Sequence, residues 1–145
     1  MKIKLSTKVK GNYLEVMQQF DRKLFEALTP KFPPVEIKEF TGSKKGDRVH
    51  LSFKVPPFFD WISDIDEDGS NDKEAWFIDQ GTTLPFPLKY WKHKHIVRKI
   101  DENHALIVDD ITFKTSNSFL DRLIYPSMLL TFKSRDNVYK NYFGV

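Results

Sequence analysis

The chain has 145 residues with 40% hydrophobic content and no cysteine, which predicts one domain over residues 1–145 and excludes disulfides, thiolate metal sites and cysteine nucleophiles. Its net charge of +3 comes from lysines interleaved with acidic residues, so no dense basic patch for nucleic acid is expected. No apolar run approaches the roughly 20 residues of a membrane span and no signal-type apolar segment opens the chain, so stable membrane insertion is not expected and the reading is a cytoplasmic protein.

In chain order, Ile3, Leu5, Thr7 and Val9 alternate with lysines and Ser6, the pattern of a half-buried strand. Gly11 ends it and Asn12 is placed to cap a helix. Tyr13, Val16, Met17 and Phe20, then Leu24, Phe25 and Leu28, recur at helical spacing. The helical region is expected to divide near Asp21 and to stop before Pro30, because the residue preceding a proline disfavours the helical conformation. Val35 to Glu39 and Val49 to Val55 alternate as strands around a turn at Thr41–Asp47, and Pro56-Pro57 interrupts pairing. Strands are expected to resume at Phe59–Ile65, Glu74–Gln80, Tyr90–Ile100 and His104–Thr115. Ser118-Phe119-Leu120-Asp121 reads as a variant capping box. Beyond it, Leu120, Ile124, Met128 and Phe132 mark a long apolar-faced helix that Pro126 should kink.

A strand, two short helices, a run of closely spaced strands and one long helix imply an α+β fold. Its antiparallel sheet of about seven strands should curve around the last helix and leave room for a cavity between them. Thirteen Phe, five Tyr and three Trp are enough to line such a cavity as well as fill a core.

The chemistry concentrates in Leu84–His95, which ends Trp91-Lys92-His93-Lys94-His95. On a strand, Trp91, His93, His95 and Val97 share one face and the lysines take the other. A turn at Asp101–Asn103 sets His95 opposite Asp109, His93 opposite Ile111 and Trp91 opposite Phe113. A carboxylate beside an imidazole orients it and favours its protonated form. The pair is therefore either a polar anchor or acid/base in an apolar cavity, or a buried pair that fixes register. His93 and His95 with Asp109 could reach a metal, but no fourth ligand is apparent and no metal or other cofactor is assigned. Asp64–Gly69 imitates the start of a calcium loop, yet Ala75 stands where a bidentate Glu is required. It reads as a solvated acidic hairpin tip. Gly42–Gly46 lacks the ending of a phosphate loop and precedes a strand.

This order resembles the SRPBCC superfamily, the START-like or birch-pollen-allergen-like helix-grip fold, over nearly the whole chain. It looks most similar to bacterial cyclase/dehydrase-like ligand-binding members. The residues that carry the resemblance are Phe77 and Asp79, with Gln80 one position earlier than that pattern has its Gln, Pro85-Phe86, Trp91, His93 and His95, then Asp109 and Ile111, and finally Phe132 and Arg135. Leu84 stands where that pattern has Gly, and Phe113 where it has Tyr. The resemblance implies a helix-grip fold that binds a small hydrophobic, lipid- or polyketide-like molecule as partner. Trp91, His93, His95, Asp109 and Phe113 are the expected contacts, with Phe53, Trp61, Phe77 and Asp79 around them. A cyclase or dehydratase using His95 and Asp109 is the alternative, and a protein-interaction module with a filled core is another. The binding reading leads, without catalysis.

Overall fold

A computed structural model describes residues 1–29 and 34–145, so Pro30 itself lies outside the described residues. The first strand, β1 (Lys2–Lys10), is followed by two short helices, α1 (Tyr13–Gln18) and α2 (Arg22–Leu28). Asn12 caps α1 by accepting from the Leu14 N–H, and Asp21 caps α2 through Leu24 N–H, so the helical region divides where the capping side chains predict. Six strands follow: β2 (Val35–Phe40), β3 (Arg48–Phe53), β4 (Asp60–Ser70), β5 (Glu74–Thr83), β6 (Leu88–Asp101) and β7 (His104–Thr115). They form one antiparallel sheet in the order β1-β7-β6-β5-β4-β3-β2.

Register shifts interrupt the ladders in β2, β4 and β6. Such irregularities bend a strand and add local twist, and the sheet is curled. The long C-terminal helix fills its concave side. It runs from Ser118 to Phe143 and is interrupted at Ser134, giving α3 (Ser118–Lys133) and α4 (Arg135–Phe143). Pro126 sits within α3 without ending it. At Ser134 the hydroxyl bonds back to the Thr131 carbonyl at 2.6 Å, a local bond of the kind that competes with helix continuation.

Two expectations are corrected. The cap of α3 is Asn117, one residue before the expected Ser118. The Asp121 carboxylate turns instead to the end of β7, accepting from the Thr115 N–H and hydroxyl, both at 2.6 Å. The acidic run Asp64–Gly69 is not a hairpin tip but part of β4, paired with β5 from Asp64↔Gln80 to Gly69↔Trp76. The turn lies beyond it, where Asn71 accepts from the Lys73 and Glu74 N–H groups. Three of the acids have protein partners: Asp64 is held by Arg48 at 2.7 Å, Glu67 by the Trp76 indole, and Asp68 by the Lys45 N–H.

The buried apolar residues fall into two clusters. One joins α1, α2 and α4 to the sheet through Val9, Phe20, Leu24, Phe77, Val97 and Tyr139. The other joins α3 to the sheet through Ile3, Trp91, Ile111, Phe113 and Phe132, with Ile124 and Met128 against it. Each fully buried large side chain is worth roughly 1.5–3 kcal/mol of burial, so both ends of the sheet are anchored independently by helices.

Candidate functional site

Between the two clusters lies a band of buried polar side chains. Alternation along β6 turns Trp91, His93, His95 and Val97 inward, and along β7 it does the same for Ile107, Asp109, Ile111 and Phe113. On β5, Phe77 and Asp79 face the same way. The backbone register is the one the sequence implies: His95↔Asp109, His93↔Ile111 and Trp91↔Phe113. On the other side of β6 it continues as Phe77↔His95 and Asp79↔His93.

The side chains do not follow that register. His93 Nε2 lies 2.8 Å from Asp109, and His95 Nε2 lies 2.8 Å from Asp79. Each imidazole reaches diagonally, one to β7 and the other to β5. The expected His95–Asp109 bond is therefore replaced by two crossed pairs; the closest His95–Asp109 approach is 3.9 Å. The two imidazole rings stack with centroids 3.6 Å apart, and Phe77 stacks on the far face of His95 at 4.1 Å. Ring stacking leaves each imidazole edge free to point along the strand direction, where diagonal neighbours come within reach.

The surrounding groups fix both carboxylates. Trp91 Nε1 donates to Asp79 at 3.1 Å. The Tyr139 hydroxyl donates to Asp109 at 3.3 Å, and the Arg135 guanidinium lies 3.5 Å from it. Burial alone would raise the Asp79 carboxyl, but the His95 hydrogen bond and the neighbouring imidazoles outweigh it and hold Asp79 below the usual carboxylate range. Burial likewise opposes ionisation of Asp109, and the His93 bond and the Arg135 charge win, holding it well below that range. The His95 imidazole is pushed down to about 4 by burial and by His93 beside it, so at neutral pH it is uncharged. With Nε2–H donated to Asp79, His95 Nδ1 is left as a buried atom with no hydrogen-bond partner among the described residues. Burial and the Asp109 charge raise the Tyr139 hydroxyl, which keeps it a donor.

This band forms part of the wall of a cavity of about 210 Å³ between the curled sheet and the helices. Phe53, Trp61 and Phe77 contribute aromatic wall, and Asp79, Trp91, His93 and His95 also line it. Asp109 and Phe113 do not: Asp109 sits behind His93, and Phe113 is fully buried under α3. Phe113 has no hydroxyl to bring, and its ring serves the core. Arg135 and Phe132 line the cavity from the helix side and were not among the expected contacts. Their signal is the Phe-x-x-Arg spacing near the chain end, which places both on one side of the helix where it changes from α3 to α4. Tyr139 carried no signal beyond its apolar periodicity. For metal chemistry, Asp79, His93 and His95 each offer one ligand atom, all within 4.8 Å of one another.

No protein-family model matches the sequence, and no curated protein matches it. Solved structures do match in shape. Norcoclaurine synthase from Thalictrum flavum, in truncated form, superposes with a TM-score of 0.66 at 15% identity, over 98% of this chain and 92% of that one. The protein XoxI from Bacillus cereus gives 0.63 at 19%, over 98% and 94%. Ara h 8.0201 gives 0.54 at 16%, over 97% and 99%. These are helix-grip, SRPBCC-type folds, and the present chain has that fold, as its sequence pattern implied. No helix among the described residues is long and apolar enough to cross a membrane.

Proposed function

We propose that residues 1–145 act as one ligand-binding domain, in the cytoplasm, that takes a small and mostly apolar molecule into the cavity between the curled sheet and the C-terminal helix. The observation that carries this reading is the asymmetry of the cavity. Phe53, Trp61, Phe77, Trp91 and Phe132 give it aromatic walls, while Asp79, His95 and Arg135 bring polar atoms to the same space. Aromatic area supplies contact and a few convergent polar groups fix orientation. A volume of about 210 Å³ lies below the roughly 300–1,000 Å³ typical of pockets for drug-sized ligands, so the ligand is compact. A single aromatic ring bearing a polar substituent fits that description. The fold neighbour norcoclaurine synthase has been captured with dopamine and hydroxybenzaldehyde, two molecules of that kind.

Native mass spectrometry of the protein from its own host, followed by release of any bound molecule, tests the reading. Trp61 and Trp91 line the cavity, so titration of small phenols and aromatic aldehydes should quench tryptophan fluorescence. His95→Ala should weaken such binding by about 1–2 kcal/mol with the fold intact. No co-purifying molecule, together with fluorescence indifferent to every such probe, sinks the proposal in favour of a protein-interaction module.

A further inference from the structure

Asp79, His93 and His95 converge on one buried point of the cavity wall. His93 gives its Nε2 side to Asp109 at 2.8 Å, and its Nδ1 lies 3.7 Å from Asp79 Oδ2, beyond a good hydrogen bond. His95 Nε2 is aimed at the same Asp79 oxygen at 2.8 Å, while its Nδ1 is buried without a partner among the described residues and sits 3.9 Å from Asp109. A neutral imidazole carries one N–H and one lone pair. In that form each ring can turn its lone pair to the space beside Asp79 Oδ2 and its N–H toward Asp109.

We propose that Asp79, His93 and His95 form a site for one divalent first-row transition metal ion such as Zn²⁺, with its remaining coordination positions open to the cavity. Asp79 Oδ2, His93 Nδ1 and His95 Nε2 would be the ligand atoms. Metal–ligand bonds of about 2.0–2.2 Å set ligand atoms roughly 3–3.5 Å apart, and the three groups already lie within 4.8 Å of one another. Small side-chain adjustments close the set. Loading gives His93 Nδ1 and His95 Nε2 to the ion and turns the remaining N–H of each ring, at His93 Nε2 and His95 Nδ1, toward Asp109; any second proton on a ring leaves to solvent.

The shell around these ligands suits the task. Metal-bound histidines commonly donate their other ring N–H to a carboxylate, and Asp109 takes that place behind His93, braced by Arg135 and Tyr139. Trp91 holds the other Asp79 oxygen, leaving Oδ2 for the ion. Two histidines with one carboxylate and open positions is a donor set used for zinc and non-haem iron, and imidazole ligands disfavour magnesium and calcium. With both imidazoles neutral, as ligands must be, Asp79 and Asp109 with Arg135 sum to one negative charge before loading. A bound dication makes this one positive, which an anionic or hydroxyl-bearing ligand head would complement. The site does not depend on the apolar-ligand reading, because the metal alone is the probe.

The test uses the full chain, stripped with a chelator and titrated with Co²⁺ and Zn²⁺ separately. One equivalent of Co²⁺ should produce a visible ligand-field band that Zn²⁺ abolishes. His95→Ala and Asp79→Asn should each weaken binding at least about 100-fold. Asp109→Asn, which changes a positioning residue, should weaken it about 10–100-fold and shift the band. His50 and His104 form exposed pairs with Asp60 and Asp101, so the double variant His50→Ala/His104→Ala should bind as the parent does. Asp79→Asn is nearly isosteric and keeps the test available if His95→Ala fails to fold. Absence of stoichiometric binding by either ion overturns the proposal. So does a band that survives in both ligand variants or disappears in the surface double variant.

Discussion

Phe132 offers the sharpest test of how α3 is held on the sheet. Its ring is 8% exposed and lies 5.7 Å from Trp91, 5.4 Å edge-on to His93, and 4.6 Å under the Arg135 guanidinium. A phenylalanine truncated to alanine in a packed core costs about 3–5 kcal/mol. Phe132 is only partly in that situation, because one side of its ring borders the cavity and already lacks contacts there. Its aromatic neighbours add about 0.5–1.5 kcal/mol per pair, which offsets part of that deficit. The expected cost of Phe132→Ala is therefore about 3 kcal/mol, the lower edge of the core range. In a chain of this size that corresponds to a melting temperature lower by roughly 6–12 °C. Thermal and urea unfolding followed by circular dichroism measure it, with Leu130→Ala as the comparison. Leu130 is on the same helix but 71% exposed, and its truncation should stay within about 0.5 kcal/mol. If Phe132→Ala costs less than about 1 kcal/mol, or no more than Leu130→Ala, α3 is not anchored through this ring and the packing argued here is wrong.

Three further outcomes are expected. The Thr115 hydroxyl and N–H lower the Asp121 carboxyl, so its contribution is fully present above the unfolded value of about 3.9 and fades as pH falls through the lower folded value. Asp121→Asn should thus melt below the parent at pH 7, and the gap should narrow below about pH 4. The acidic stretch of β4 should not bind calcium tightly, since Asp64, Glu67 and Asp68 already have protein partners and the segment is a strand rather than a loop; calorimetry giving micromolar affinity that Asp66→Asn removes would contradict this. Gly81→Ala should destabilise the protein by about 1–3 kcal/mol, because a Cβ there would meet Leu84 at 2.6 Å and Trp91 at 3.0 Å; chemical denaturation should show a lower midpoint.

The run of strands and the inward faces could be read from the sequence because alternation marks them: the odd residues from Trp91 to Val97 on β6 and from Ala105 to Thr115 on β7 are buried as parity requires. The partner of each histidine could not be read. Register fixes which Cα atoms oppose one another, but an imidazole reaches beyond that distance, and stacking of His93 on His95 directs both rings diagonally. Asp79 was expected only at the periphery, although it bonds His95 and lies near His93. Its strand is the neighbour on the other side of β6, and short-range turn logic connects β6 only to β7. The acidic segment misleads for a different reason. Asp and Gly together suggest a turn, yet the pairing runs on through it: Asp64 lies opposite Gln80, and past the ladder shift between Ile65 and Glu67 the strand continues with Glu67 opposite Ile78 and Asp68 opposite Phe77. Arg135 was visible as a residue but not as a contact, because the helix break at Ser134 has no strong sequence mark.

The polar band crosses four neighbouring strands, from Thr7 on β1, whose hydroxyl bonds Asp136 at 2.8 Å, through Asp109 and the two histidines to Asp79. It therefore partitions the interior into two separate oil drops, one under α1, α2 and α4 and the other under α3. A chain selected for durability alone would carry valine, leucine or phenylalanine at these positions and fuse the drops, since well-packed apolar replacements of buried ionic groups are often neutral or stabilising. The seam is thus the place where this protein has surrendered robustness to keep something else. An engineer seeking a hardy, inert scaffold should begin by filling it, and one seeking a new binder should leave it untouched.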